Sequence, residues 1–177
     1  TLSAWMQLGV ANTSLDGVIA STDAAAGTQN YALEVNRTSA KLSIIWGGAL
    51  VLTATTALTV GRWSYVTMVR SGSIGDWTAT FYLNGVPNGT AGTATNPAGV
   101  LHPTGIGQYP LLATNLFQGS LDDVRIYNRG LSGSEVARLY TRTLTISNAR
   151  SFFRPSKIAY FFQGAASTTF AIANAQV

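Results

Sequence analysis

The sequence predicts an all-β sandwich of antiparallel strands with one short helix near residues 133–140. Three observations lead to this prediction. Short segments in which apolar residues recur at every second position are separated by turn residues. The turn-forming pair Asn84–Gly85 directly follows one of these segments, and only the stretch after Ser132 carries a helix-start pattern. One helix among eight or more strands is typical of a sandwich.

The first strand is predicted from the alternation between Leu2 and Leu8, and residues 12–17 are then a predicted turn. The other strand candidates, in chain order, are 17–21, 30–36, 41–46, 62–70, 78–83, 105–107 and 117–127. Asn84–Gly85 predicts a type I′ hairpin turn, because this pair most easily adopts two consecutive positive φ values. The aperiodic stretch 87–97 is a predicted exposed loop.

The helix is predicted from Ser132 and Glu135, which have the spacing of a capping box. Val136, Leu139 and Tyr140 then share one helical face. The strand pattern and this helix face also predict core residues, which are Trp63, Tyr65, Phe81, Leu121, Ile126 and Leu139.

Composition limits the possible functions. The chain has 177 residues, no Cys and one His, so it has neither a disulfide framework nor a Cys- or multi-His zinc site. Residues 1–135 carry six basic and seven acidic side chains, whereas residues 136–177 carry five basic and none acidic. Five dispersed charges do not make the basic, aromatic-rich surface of a nucleic-acid binder. No apolar run is long enough for membrane insertion.

Several segments carry a family resemblance. The stretch Phe117-Gln-Gly-Ser-Leu-Asp-Asp-Val-Arg-Ile-Tyr-Asn-Arg129, followed by the capping box, resembles the C-terminal signature of laminin-G-like, concanavalin A-like jelly-roll domains. Residues 2–5, 62–67 and 81–85 resemble further strands of that family, in the expected order. The resemblance implies a jelly roll over residues 1–141 whose N-terminal strands are missing, followed by an aromatic, basic extension over residues 142–177.

Glucanases of the same fold need two carboxylates facing one substrate, about 5 Å apart in retaining enzymes. Here Glu34 has no second carboxylate nearby, and Glu135 is the predicted cap residue. Asp122 and Asp123 are adjacent and so point to opposite faces of a strand. His102 is a predicted loop residue without a nucleophile elbow. We therefore expect no enzymatic activity and no obligatory cofactor.

The remaining question about metals is whether the chain binds calcium. The resemblance implies a possible Ca²⁺ ligand at Asp122, but calcium needs six to eight oxygens, and partner residues are not evident in the sequence. The alternative is that Asp122 or Asp123 accepts hydrogen bonds from the backbone amides of a neighbouring loop.

Carbohydrate binding has a precedent in the family, and sugar platforms are exposed aromatic rings beside polar groups. Trp46, Trp77 and Tyr109 are the candidate loop-borne platforms, while Trp5 and Trp63 fit strand patterns and are predicted core residues. The alternative is that all these rings are core, because aromatic side chains dominate sandwich interiors.

The extension contains two aromatic clusters, Phe152–Phe153–Arg154 and Tyr160–Phe161–Phe162, and the second lies in an uncharged, β-prone run that must be covered. It either completes the sandwich or docks onto another subunit.

Two functions therefore remain. The first is a non-catalytic structural or decoration subunit of a bacteriophage virion or another repetitive surface, assembling through the extension. The second is a carbohydrate-binding adhesion module of a longer secreted bacterial protein.

Overall fold

The computed structural model describes residues 1–9, 17–22, 31–36, 38–46, 49–73, 76–92, 104–109 and 116–150. These residues form ten strands and one helix: β1 Leu2–Leu8, β2 Gly17–Thr22, β3 Tyr31–Asn36, β4 Lys41–Trp46, β5 Ala49–Thr53, β6 Trp63–Ser73, β7 Asp76–Leu83, β8 Val86–Gly92, β9 Thr104–Ile106, β10 Gly119–Ile126 and α1 Gly133–Arg150. The predicted all-β architecture with one helix is confirmed. Within the described ranges, no helix has the length and apolar character needed to cross a membrane.

The strands form two antiparallel sheets of five strands each. The front sheet has the order β10-β1-β6-β7-β8, and the back sheet has the order β5-β4-β3-β2-β9. The first and last described strands, β1 and β10, are therefore neighbours, with Leu2 opposite Ile126 and Leu8 opposite Gly119. This pairing places the start of the chain beside the segment that leads from β10 into helix α1.

The main core lies between the two sheets. The front sheet contributes Leu2, Met6, Val66, Met68 and Phe81, and the back sheet contributes Ile19, Leu33, Val35, Leu42 and Ile44. Alternate residues of each strand face this core, and β1, β3, β4 and β6 also bury residues on their other faces. The predictions that Tyr65, Phe81 and Leu121 are buried are confirmed.

Helix α1 covers the outer face of the front sheet. Val136 is fully buried against Val69 and Leu131, and Leu139 packs partly buried on the same cluster, as its helical face predicts. Tyr65 faces this side, and its ring contacts both Trp5 and Tyr140. The front sheet is therefore packed on both faces, by the core on one side and by the helix on the other.

The predicted hairpin turn between β7 and β8 is confirmed. Asn84 and Gly85 have φ values of 51° and 80°, the two positive angles of a type I′ turn. The side-chain oxygen of Asn84 accepts the Tyr65 backbone N–H at 2.9 Å, which ties the turn to β6. A Cβ on residue 85 would lie 3.2 Å from the Tyr140 ring. The turn thus also makes room for helix α1.

Two core predictions are wrong. Trp63 is 45% exposed and Ile126 is 52% exposed, because both lie at strand ends where the covering elements do not reach. Trp5 is only partly buried, under Tyr140. An alternating pattern shows which residues share a face, but not how far that face is covered.

Other boundaries also differ from the sequence-based expectation. Strand β5 was not predicted, and the expected exposed loop 87–97 begins as strand β8, in which Asn88 is buried. Helix α1 runs to Arg150 and so continues through the expected domain boundary after residue 141. Residue His102 and all of the aromatic extension from residue 151 onward lie outside the described residues.

The two-sheet core predicts a large cost for truncating Phe81. Replacing Phe81 by Ala should lower the free energy of unfolding by about 3–5 kcal/mol, because the fully buried ring leaves a cavity between the sheets. Replacing the exposed Trp63 by Ala should cost about 1 kcal/mol or less. Urea unfolding followed by circular dichroism measures both. Equal losses for the two variants would contradict the assignment of faces.

Candidate functional site

A groove opens at the end of the sandwich where β3 begins and where β4, β6 and β10 end. Its volume is about 590 Å³, within the usual size range of small-ligand sites. We call it the sheet-end groove. Its lining combines aromatic and polar side chains from chain segments that are far apart in sequence; they are Tyr31, Trp46, Arg70, Ser71, Tyr127, Asn128 and Arg129, with Thr1, Leu2, Met68, Gly72, Ile126 and Gly130 completing it.

The floor of the groove is an aromatic cluster. Tyr31 and Trp46 are cross-strand partners on β3 and β4, and their rings stack with centroids 5.9 Å apart. On its other side Trp46 contacts Trp77, at 4.9 Å between centroids. Burial raises the pKa of the Tyr31 hydroxyl, so the phenol stays protonated at neutral pH and can donate a hydrogen bond.

Arg70 lies over this cluster. Its guanidinium carbon is 4.7 Å from the Trp46 ring centroid and 5.4 Å from that of Trp77, which is cation–π geometry with both indoles. Arg70 follows Val66 and Met68 in the row of β6 side chains that faces the core. The apolar row therefore ends in a cation at the place where the core opens to solvent.

Residues 127–131 form one wall, which is held in place by Thr1, directly before β1, and by β6. The Thr1 hydroxyl donates to the Arg129 carbonyl and accepts the Leu131 backbone N–H, both at 2.9 Å. A Cβ on Gly130 would lie 2.8 Å from the Arg70 carbonyl oxygen, so only glycine permits this close approach. This wall is therefore held against β6 by both hydrogen bonding and backbone packing.

The same wall leads into helix α1 through a capping box. Glu135 accepts the Ser132 backbone N–H at 2.8 Å, and the Ser132 hydroxyl accepts the Glu135 backbone N–H at 3.3 Å. Arg129 forms two hydrogen bonds to the Glu135 carboxylate, at 2.7 and 3.0 Å. The predicted capping box is confirmed, and it also holds Arg129 at the rim of the sheet-end groove.

The three expected aromatic platforms have different positions. Trp46 lines the groove but is only 9% exposed. The expectation that Trp77 and Tyr109 are exposed platforms is wrong, since they are 1% and 3% exposed. Trp77 lies in β7 under Arg70, and the Tyr109 hydroxyl donates a hydrogen bond to the buried Glu34. For these two rings, the alternative prediction of core packing is confirmed.

Asp122 is exposed on β10, where its carboxylate accepts the Asp123 backbone N–H at 2.7 Å. Asp123 has a φ of 50° at a register shift in the β1–β10 pairing, and it forms an ion pair with Arg125 at 2.8 Å. This pairing raises the pKa of the Arg125 side chain. Across the described residues, no three Asp, Glu or His side chains come together as a metal site. A calcium-binding role for Asp122 therefore stays a prediction.

The carboxylates with described side chains do not form a catalytic pair. Glu34 is buried on β3 and bonded to Tyr109, while Glu135 is engaged by Arg129 and the helix cap. Asp123 is paired with Arg125. None of these carboxylates lines the sheet-end groove.

Sequence reasoning missed Tyr31, Arg70 and Arg129. Arg70 could have been found from the sequence. It stands at a position of its strand where the alternation predicts an apolar, core-facing side chain, and a charge at such a position marks the end of the core. Arg129 lies six residues before Glu135, a spacing that carries no local rule. For Tyr31 the sequence predicts a position in a strand and nothing that indicates a binding role.

Comparison with known proteins gives a family match. The model of the concanavalin A-like lectin/glucanases superfamily, a laminin-G-type family, matches residues 1–137. A comparison with curated proteins finds no match.

Solved structures share the fold at low sequence identity. A heptameric SAP-like pentraxin from Limulus polyphemus is 20% identical, with a TM-score of 0.56, and the match covers 78% of this chain and 68% of the pentraxin. Domain 4 of a GH43 extracellular arabinanase from Geobacillus stearothermophilus, solved with arabinotriose, is 17% identical, with a TM-score of 0.57 and coverages of 78% and 65%. A Bacteroides ovatus protein assigned a carbohydrate-binding role is 17% identical, with a TM-score of 0.57 and coverages of 77% and 40%. The chain thus spans less than two thirds of the last two structures.

The capping box predicts an acid-sensitive element. Arg129 and Ser132 lower the pKa of Glu135 from 4.5 to about 2. Because the unfolded carboxyl binds its proton at higher pH than the folded one, this stabilisation is complete above about pH 4.5 and is lost as the pH falls toward 2. Replacing Glu135 by Gln should therefore flatten the fall in melting temperature between about pH 5 and pH 2. An equally steep fall in E135Q and in the unaltered chain would contradict this assignment.

Proposed function

The chain belongs to the concanavalin A-like lectin/glucanase superfamily, and from this premise we propose that it is a non-catalytic carbohydrate-binding module that takes its sugar in the sheet-end groove. The observation that carries the proposal is the composition of that groove. Tyr31 and Trp46 provide an aromatic surface, while Ser71, Asn128 and the two arginines provide hydrogen-bonding groups. Sugar sites combine these two kinds of surface, because a pyranose has apolar C–H faces and a polar hydroxyl rim.

The state of Trp46 adds support. Its indole N–H is buried and has no hydrogen-bond acceptor among the described residues. A buried donor without an acceptor is costly, and a water or hydroxyl that entered the floor of the groove would satisfy it. The stacked Tyr31 ring is partly exposed beside it. Tyr31 is therefore the expected stacking partner of the sugar, and Trp46 supports that ring from below.

The relatives agree with this proposal. The arabinanase domain was solved with an arabinose trisaccharide, and the Bacteroides protein has an assigned carbohydrate-binding role. The absence of enzymatic activity is supported by the carboxylates with described side chains. Glu34 and Glu135 are each held by another side chain and face no common substrate position, whereas glycoside hydrolysis needs an acid and a second carboxylate across one bond.

Binding without hydrolysis is the first test. Labelled oligosaccharides, with arabinotriose among them, should bind the full chain in a glycan array and in isothermal titration calorimetry, and no reducing ends should appear on prolonged incubation. Replacing Tyr31 by Ala should weaken binding at least about tenfold, the loss of roughly 1.4 kcal/mol expected for a central aromatic contact.

The matched control is Trp63→Ala, which removes an exposed aromatic ring at the opposite end of β6. That variant should bind as the unaltered chain does. Retained binding in Y31A together with lost binding in W63A would contradict the assignment to the sheet-end groove. Release of new reducing ends would contradict the non-catalytic proposal.

A second candidate function has its own support in the sequence. Residues 142–177 contain four basic and no acidic side chains and hold the clusters Phe152–Phe153–Arg154 and Tyr160–Phe161–Phe162. Aromatic anchors with arginine at their rim are typical of protein interfaces. Helix α1 leads to Arg150, directly before these clusters. We propose that this extension assembles the chain into an oligomer or onto a repetitive surface, of which a bacteriophage virion is one kind.

The assembly proposal predicts a change in solution mass. Replacing Tyr160, Phe161 and Phe162 together by Ser should convert an assembled form to monomer in sedimentation velocity, because the apolar anchors are lost. Phe170→Ser, which lies outside the two clusters, is the control and should leave the mass unchanged. A full chain that is monomeric at every concentration would contradict the proposal.

A further inference from the structure

A second groove adjoins the sheet-end groove and differs from it in charge. Its volume is about 560 Å³, and it runs between helix α1 and the end of β10. We call it the basic groove. It is lined by Tyr127, Arg129, Leu131, Glu135, Arg138 and Leu139, together with Thr141 and Arg142. Tyr127 and Arg129 line both grooves, so the two form one continuous surface with Arg129 at the junction.

The charges of the basic groove are unbalanced. Glu135 is the one carboxylate in its lining, and Arg129 already neutralises it through two hydrogen bonds. Arg138 and Arg142 are both exposed, and neither forms an ion pair within the described part of the chain. Two positive charges therefore remain in this groove.

The spacing of these two arginines is unfavourable for the helix itself. Residues four apart lie on the same helix face, and like charges at that spacing destabilise a helix. Their separation along the axis is about 6 Å, comparable with the length of one sugar residue. Arginine pairs well with carboxylate and sulfate groups, because its planar fork of donors matches two oxygens of either anion.

We propose that the ligand is an acidic polysaccharide, with one sugar in the sheet-end groove and anionic groups of the following sugars on Arg138 and Arg142. This inference rests on the proposed carbohydrate-binding function and narrows its ligand class. Apolar side chains support it, because Tyr127, Leu131 and Leu139 form the wall beneath the arginines. A polysaccharide presents C–H groups to such a wall as well as anions to the arginines.

The experiment compares acidic and neutral polymers on the full chain by biolayer interferometry. The probes are polygalacturonate and heparin as acidic polymers, and arabinan and dextran as neutral ones. We expect an acidic polymer to bind most tightly. Replacing Arg138 and Arg142 together by Ala should weaken that binding at least about tenfold, because the variant loses the charged hydrogen bonds of both arginines to the polymer. Raising the salt from about 50 mM to about 500 mM should also weaken it, because exposed charges are screened.

The control removes two positive charges elsewhere. Lys41 begins β4 and Arg62 precedes β6, so both lie at the end of the sandwich opposite the grooves. K41A/R62A has the same net charge as R138A/R142A and should bind the acidic polymer within about twofold of the unaltered chain. Equal losses in the two double variants would overturn the inference, because the attraction would then be nonspecific.

Other outcomes separate the inference from the proposed function. If only neutral polymers bind and Y31A abolishes that binding, the carbohydrate-binding function stands and the acidic ligand class is wrong. If no polymer binds at low salt, both are wrong. Duplex DNA bound as tightly as the best polysaccharide, with the same dependence on Arg138 and Arg142, would also overturn the proposed ligand class.

Discussion

The packing of helix α1 against the outer face of the front sheet forms one side of the basic groove and, through the capping box, holds the rim of the sheet-end groove. The helix starts at a capping box whose Glu135 is also bonded to Arg129, so one carboxylate fixes the helix start and the rim of the sheet-end groove. Thr1, directly before β1, and Gly130, packed against β6, then hold the preceding wall in place. Because the front sheet has apolar residues on both faces, the helix cannot leave it without exposing Val69 and Tyr65. The stability of the groove walls therefore depends on this packing.

The way in which the core ends at this end of the sandwich gives a physical reason for a binding site there. In β6 the row of core-facing apolar residues ends at Met68, and the next inward-facing residue is Arg70, which rests on two indole rings. The cation closes the core while its charge stays close to solvent. Aromatic surface, an arginine and hydrogen-bonding loops meet there without a large rearrangement of the fold. A preformed groove of this kind binds with a small entropic cost.

Much of the fold could be predicted from the sequence, because local rules fix it. Period-two alternation identified β1, β3, β4 and β6, the Asn84–Gly85 pair identified the hairpin, and the Ser132–Glu135 spacing identified the helix start. Strand β8 was missed because it contains Pro87 and Gly89, which have low β propensity. Its pairing with β7 stabilises it as an edge strand, where proline is tolerated. The site was harder to predict, since its residues come from five distant segments. Trp46 lines the groove, and its binding role stays a prediction; the exposure of Trp46, Trp77 and Tyr109 depends on what covers each ring, which no local pattern encodes.

The most direct test of the central claim, that sugar occupies the sheet-end groove, uses the four tryptophan indole signals. Their N–H groups can be followed in ¹⁵N-edited NMR spectra while a binding oligosaccharide is titrated into the full chain. The account predicts that the Trp46 signal shifts in proportion to saturation, with a smaller shift at Trp77, while those of Trp5 and the exposed Trp63 remain in place. A shift confined to Trp63, or saturation without any change at Trp46, would contradict it.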